Sequence, residues 1–298
     1  MAYHIPALLE ESILGLNIRP SGIYVDVTFG GGGHSSEILK HLTTGRLIAF
    51  DQDEDAQRNI LDDKRFIFLN QNFRFLKNNL RFNGIDHVDG IIADLGVSFH
   101  QFDEPSRGFT FRQDTALDMR MNRSTPKKAS DLLASLDEKE LADMLFEYGE
   151  LNNSRKIARE IVLAREKKPI LTVNDFNDAI GKLAPFRQEH KFFAKVFQAL
   201  RISVNREIEF LKEMLTQALD VLNYEGRLVV ITYQSLEDRV VKNFMRTGNF
   251  EGEENKDFYG NSVTPFRLIT RKGIIPDQEE ISGNSRARSA RLRIAEKI

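Results

Sequence analysis

The chain has no cysteine among its 298 residues. That excludes disulfides, thiolate metal sites and cysteine nucleophiles. Histidine is scarce, and His4, His34, His41, His87, His100 and His190 never fall at the spacing of metal ligands, so no zinc site is expected. No apolar run approaches the roughly 18 residues that a membrane span requires. The opening "MAYHIPALLEESILGL" places Glu10 and Glu11 where a signal peptide needs an unbroken apolar core, and a cytoplasmic protein is expected. Net charge is low as well, at −2, but it is unevenly spread. From Arg107 to Arg206 there are 19 Lys and Arg against 14 Asp and Glu, a net +5 that leaves −7 for the rest. The tail from Arg286 to Ile298 carries +4. Solvated helix faces account for most such lysines, yet this segregation also suits a polyanionic partner.

What the chain does have is an alternation of strand-like and helix-like segments. Residues 23–29, 46–50, 65–70 and 88–95 read as short buried strands rich in Ile, Val and Phe. Helical patterns at 35–42, 54–61 and 75–82 lie between them, so a doubly wound parallel sheet is predicted. From about residue 108 to 205 only helical patterns follow. "SDLLASLDEKELADMLFEYG" reads as a helix capped by Ser130, and "SRKIAREIVLAREKK" as one ended by Pro169. Ile208, Leu211, Leu215, Leu219 and Leu222 then stripe a helix that "NYEG" should stop, and "RLVVITY" resumes the strands. The predicted organisation is an α/β domain of residues 1–107 and 206–298 interrupted by a helical insertion of residues 108–205.

The segment "YVDVTFGGGGHSSEIL" carries four consecutive glycines, Gly30 to Gly33. Such a run costs stability unless the backbone needs positive φ or something must approach it closely. Between the first strand and first helix of a doubly wound sheet, it lies where ligands bind. Asp51 ends the second strand about 20 residues on, where an acidic side chain accepts ribose hydroxyls; capping the pattern "EDAQRNIL" is its plainer role. The pair points to an adenosine cofactor. A nicotinamide dinucleotide wants a third glycine where Ser35 or Ser36 stands. A cationic methionyl group instead wants acceptors and open backbone, which Asp26 and Gly31 to Gly33 supply. Asp94, ending the fourth strand in "IIADLGVS", sits where a methyl group would arrive. Together these favour S-adenosylmethionine.

"DLGVSFHQFDEPSRGFTFRQDTALDMRMN", "FQALRISVNREIEFL", "GRLVVITYQSLEDRVVKNF" and "NSRARSARLR" go further. With the glycine segment, they closely resemble the ribosomal small-subunit RNA methyltransferase H family, from His4 to Arg293. The resemblance implies a class I S-adenosylmethionine-dependent methyltransferase, Rossmann-like, with an inserted helical substrate-recognition domain. It implies methylation of N4 of a cytidine in the decoding region of 16S rRNA, in the small ribosomal subunit. Carried over by position, the cofactor contacts are Gly32, Gly33, His34, Asp51, Phe73, Asp94 and Gln101. Two positions depart from the family pattern: Phe99 replaces a second serine after "DLGVS", and Gln234 replaces a common His. Glutamine cannot titrate near neutrality, so a binding or packing role is expected for it.

A cytosine exocyclic amine is a poor nucleophile, and an oxygen that accepts its N–H helps localise the lone pair. Asp94 is the expected catalytic acceptor. Asp118 is second, with a salt bridge to Arg120 or Arg123 as its equal alternative. Phe109 and Phe111 could line a pocket for an unstacked base, core packing being the other role. Arg120, Arg286 and Arg288 are candidates for RNA phosphates, the last two in an extended stretch with Arg291 and Arg293. No metal and no membrane partner is expected; a second copy in a homodimer stays open. The alternatives are an amino-methyltransferase acting on another nucleic acid, and a non-enzymatic RNA-binding or assembly protein with a relic cofactor pocket.

Overall fold

The computed structural model describes residues 6–260 and 263–298, without the side chain of Phe99. The sequence features placed on His4 and on the Phe99 side chain therefore lie outside the described residues. Helix α1 (Leu9–Leu16) precedes β1 (Ile23–Asp26), α2 (Gly33–His41), β2 (Arg46–Phe50), β3 (Phe66–Leu69), α3 (Leu76–Phe82) and β4 (Val88–Asp94). The pattern at 54–61 is a 3₁₀ turn, Glu54–Asn59, and not the α-helix expected. It buries only Ala56, too little apolar surface to support a longer helix.

The chain forms two compact units, one of residues 1–96 with 208–298 and one of residues 97–207. The helical unit thus begins before residue 108, because the helix after β4 already belongs to it. It comprises α4 (Phe99–Asp103), α5 (Ala129–Ser135), α6 (Glu138–Gly149), α7 (Ser154–Lys167), α8 (Val173–Ile180) and α9 (Glu189–Asn205). Leu133, Leu141, Leu145, Ile157, Ile161, Phe176, Val196 and Leu200 fill its own core. The long helix expected from Ser130 is two helices. The first starts at Ala129 with Lys128 at the cap position, two residues before the expected cap Ser130. The second restarts at Asp137, whose Oδ1 accepts from the Glu140 N–H at 2.8 Å while Glu140 Oε2 accepts from the Asp137 N–H at 2.8 Å. That reciprocal box is a start signal strong enough to break the run.

The first unit resumes with α10 (Glu207–Val221), β5 (Leu222–Thr232), α11 (Ser235–Thr247), β6 (Phe266–Leu268), α12 (Gln278–Gly283) and β7 (Arg291–Lys297). "NYEG" does not form a turn of its own: it enters β5 directly, with Glu225 in the left-handed region at φ 62°. The seven strands run in the order β3-β2-β1-β4-β5-β7-β6. All pairs are parallel except those of β7. Strand β5 returns beside β4 with Ile231 opposite Asp94. Ile38, Leu47, Ile92, Val229, Ile231 and Leu292 pack one continuous core around this sheet. The architecture is that of a class I methyltransferase sheet. Strand order reverses direction between β1 and β4, which puts the crevice for a ligand outside their carboxyl ends.

Candidate active site

The glycine turn lies at that crevice. After β1 the Phe29 N–H still bonds the Phe50 carbonyl at 2.9 Å, and the chain then turns sharply into α2. Gly30 and Gly32 take φ of 51° and 76°, which L side chains adopt at a cost. Gly33 is constrained differently, since a Cβ there would come within 2.3 Å of the Pro6 ring. Gly31 has neither reason. Its φ is ordinary, and a Cβ would meet no atom of the protein within 4 Å. Its backbone is simply bare, on an exposed surface of the turn.

Three carboxylates converge on the ends of β1, β2 and β4. Asp26 is 1% exposed; its Oδ1 accepts from the Thr28 N–H at 3.0 Å and its Oδ2 from the Ser35 hydroxyl at 2.7 Å. Ser35 therefore does more than replace a glycine: it holds Asp26. Burial pushes Asp26 up to about 6 against these two bonds. Asp51 accepts from the Gly30 N–H at 2.7 Å and the Asp53 N–H at 2.8 Å, clamping the turn to the end of β2. Burial raises it to about 6, with Asp53 and Asp26 adding repulsion. Capping the following turn falls to Asp53, whose side chain accepts from the Asp55 N–H, so Asp51 is not the cap. Each Asp51 oxygen keeps a further lone pair for a ribose hydroxyl.

Asp94 is raised to about 7, by burial first and then by Asp26 and Glu237, against a hydrogen bond from the Tyr233 hydroxyl. Its own N–H donates to the Thr28 hydroxyl oxygen at 2.6 Å. Among the described residues Asp94 Oδ1 is buried without a hydrogen-bond partner, as are His34 Nε2 and Gln234 Oε1. His34 Nδ1 lies 3.9 Å from Asp94 Oδ2. Burial holds His34 down at about 4, so this is a neutral imidazole beside a carboxylate and not an ion pair. Unsatisfied buried acceptors are rare in folded proteins, and two of these stand on the sheet's ligand-facing edge.

Phe73 is half-buried at the start of a 3₁₀ turn after β3. The loop is tied to the end of β2 by Asn70 Nδ2 on the Asp51 carbonyl at 2.9 Å and Asn72 Nδ2 on Gln52 Oε1 at 2.6 Å. Gln101 belongs to the other unit, where it is buried and forms a capping box with Ser98 at the start of α4. Asp118 is paired with Arg120, at 2.7 and 2.8 Å, and held below the usual carboxylate range. The salt-bridge reading of Asp118 is the one the structure takes. Arg120 also donates to the carbonyls of Arg123 and Thr125, which commits its guanidinium to its own loop instead of to a phosphate. Phe109 is core; Phe111 is half-buried and stacks on Phe193 at 5.9 Å.

The arginine stretch is not uniformly extended. Arg286 and Arg288 lie in a 3₁₀ turn, Ser285–Ser289, both exposed. Arg293 is inside β7 and bonds both oxygens of Asp238, at 2.6 and 2.9 Å. The expected row of four phosphate-facing arginines is thereby reduced. Sequence reasoning overlooked Thr28, Tyr233 and Glu237. Thr28 stood in the quoted glycine segment, two residues after Asp26, but a hydroxyl there is unremarkable until β4 is placed beside it.

Among the described residues no helix is long and apolar enough to cross a membrane. The profile of the MraW methylase family matches residues 1–298. A protein of Bacteroides thetaiotaomicron called ribosomal RNA small subunit methyltransferase H is 57% identical over 298 residues, covering 100% of this chain and 98% of its own. A protein of the same name from Flavobacterium johnsoniae is 54% identical over 299 residues, covering 100% and 99%.

Proposed function

The chain belongs to the MraW methylase family, and from that premise we propose that it transfers a methyl group from S-adenosylmethionine to N4 of a cytidine in the decoding region of 16S rRNA, in the cytoplasm. The observation that carries the chemistry is the buried, unpartnered Oδ1 of Asp94 beside a bare glycine turn. The residues fit the cofactor: three carboxylates face a cation, Asp51 offers acceptors for ribose, and Gly31 leaves its backbone open. S-adenosylmethionine supplies an electrophilic methyl group on a sulfonium.

Gly30 to His34 and Asp51 hold the donor, with Phe73 beside the adenine. Asp94 Oδ1 accepts a hydrogen bond from the cytidine amine, concentrating the nitrogen lone pair on the side facing the methyl group. The Tyr233 hydroxyl donates to that carboxylate, and the neutral His34 imidazole lies beside its Oδ2. As the N–C bond forms and the methyl carbon–sulfur bond breaks, the cofactor would leave as a neutral thioether, and the proton of the positively charged amine would pass to Asp94 or to water. No strong base is required, which agrees with Gln234 standing in this site. The flanking phosphates are held by basic residues, Arg286 and Arg288 among them.

Gly31→Ala separates cofactor binding from folding. The protein has room for the methyl group, so the unfolding midpoint should stay at the parental value. Affinity for S-adenosylmethionine should fall by roughly 1–3 kcal/mol, the usual cost of overfilling a tight contact. Calorimetry that finds parental affinity would place the donor elsewhere. Asp51→Ala should weaken binding by a similar 1–3 kcal/mol through lost hydrogen bonds to ribose. It should also loosen the turn at Gly30, so here the midpoint should drop as well. The whole reading is tested by methylating small-subunit rRNA and mapping the product by mass. Methylation of any atom other than cytidine N4 refutes it.

A further inference from the structure

On the far side of the sheet from β3, α11 packs against β6 and β7 and leaves a cleft of about 180 Å³. Lys242, Arg246, Arg271 and Arg293 wall it, and Met245, Leu268 and Thr270 complete it. Among the described residues no acidic side chain lines it. Arg293 is neutralised by Asp238, but the other three are exposed cations. Arg246 donates to the Gly252 carbonyl at 2.9 Å, which offers no charge in return. Among the described residues Lys242 and Arg271 have no hydrogen-bond or ion-pair partner. Lys242 and Arg246 are also four apart on one helix, a like-charge spacing that disfavours α11 by itself.

The cleft has a matching neutral donor. The Thr270 hydroxyl oxygen accepts from the Ile294 N–H at 3.0 Å, so its own hydrogen is left to donate. A strongly hydrated ammonium, a guanidinium fork and a hydroxyl around a small cleft suit a tetrahedral oxyanion, and an RNA backbone offers one at each step. Position agrees with this. α11 starts at the carboxyl end of β5, and at about 1.5 Å per residue Lys242 lies about 10 Å along it from Ser235. That helix starts three residues after β5, whose Ile231 pairs with Asp94, so the cleft and Asp94 belong to the same unit.

We infer that the cleft of Lys242, Arg246, Thr270 and Arg271 binds a backbone phosphate of the RNA substrate, a few nucleotides from the methylated base. The inference rests on the methylase reading above and adds a second anchor to it. The test uses the full chain with both Lys242 and Arg271 replaced by glutamine, beside a Lys242→Arg control. Affinity for small-subunit rRNA should fall roughly ten-fold in the double variant, and log affinity against log salt should flatten by about one unit of slope. The affinity for S-adenosylmethionine, the unfolding midpoint and turnover at saturating RNA should remain parental, and Lys242→Arg should bind RNA normally. Unchanged affinity and slope in the double variant would overturn the inference while leaving methylation intact. If the parental protein neither binds nor methylates rRNA, the methylase reading itself has failed. An inorganic phosphate titration provides the remaining arm: if millimolar phosphate raises the parental unfolding midpoint and the variant's RNA affinity is unchanged, the cleft serves a small free anion and the RNA inference falls.

Discussion

Asp94→Ala should slow methylation of saturating rRNA by a factor on the order of 10²–10⁴, the range over which a positioned proton acceptor contributes. Cofactor affinity should change by far less, because two other carboxylates remain to face the cation. Among the described residues no donor reaches the buried Asp94 Oδ1, whereas both oxygens of Asp26 and of Asp51 already accept hydrogen bonds. An acceptor that the protein's own donors leave open is available to the substrate amine, so its removal acts on the transition state more than on the ground state.

Acid should imitate that substitution. Asp94 is held at about 7, and its protonated form can donate but cannot accept at the oxygen that carries the hydrogen. Turnover should therefore rise with pH to a plateau, with a midpoint at or below about 7, since a bound sulfonium favours the ionised form. The Asp94→Ala variant should lose this acid limb. Tyr233→Phe should move the limb upward, because the phenol hydroxyl is the one hydrogen bond that favours ionised Asp94; high pH should then restore most of the lost rate. Single-turnover rates between pH 5.5 and 9 decide the matter. An Asp94→Ala enzyme that keeps the parental rate once saturated with cofactor would move the acceptor elsewhere.

The strands were legible because each is a short Ile, Val and Phe run ended by Gly or Asp, and a buried parallel strand needs little else. The glycine turn was legible because four glycines have few other uses, and Asp51 and Asp94 because each closes such a run. What the sequence withheld is chiefly partnership across strands. Nothing near Tyr233 announces Asp94, which is 139 positions earlier and becomes its neighbour only when β5 lies beside β4. Arg293 was indistinguishable from Arg288 in a row of arginines until α11 brought Asp238 against it. The helical unit shows the converse. The box at Asp137 and Glu140 was visible locally, but the hydrophobic pattern runs through it, and periodicity masked a boundary that capping chemistry sets.

Thermal stability without cofactor should decline as pH rises from about 5 to 8, the reverse of the usual behaviour of paired carboxylates. Asp26 and Asp51 are held at about 6 and Asp94 at about 7, all above the ordinary 3.8. A raised carboxyl makes the folded chain bind its proton more tightly than the unfolded chain does. That contribution is complete below about pH 4 and is lost as pH climbs through 6 and 7. His34 works the other way: held at about 4 against 6.5, it stabilises above pH 6.5 and loses its contribution as pH falls. Three groups outweigh one. At about 1.4 kcal/mol per pKa unit, discounted because Asp51 and Asp94 are only partly shielded from water, the net loss from pH 5 to 8 is on the order of 2 kcal/mol. For a chain of 298 residues that is roughly 3 °C in unfolding midpoint. Binding of S-adenosylmethionine should offset it, since its positive charge favours the ionised carboxylates, and binding should release protons near neutrality. The gap between midpoints with and without cofactor should therefore widen steadily with pH. A gap that is constant from pH 5 to 8, or a cofactor-free midpoint that rises over the same range, would mean that these carboxylates are ionised in the free protein and do not await a cation.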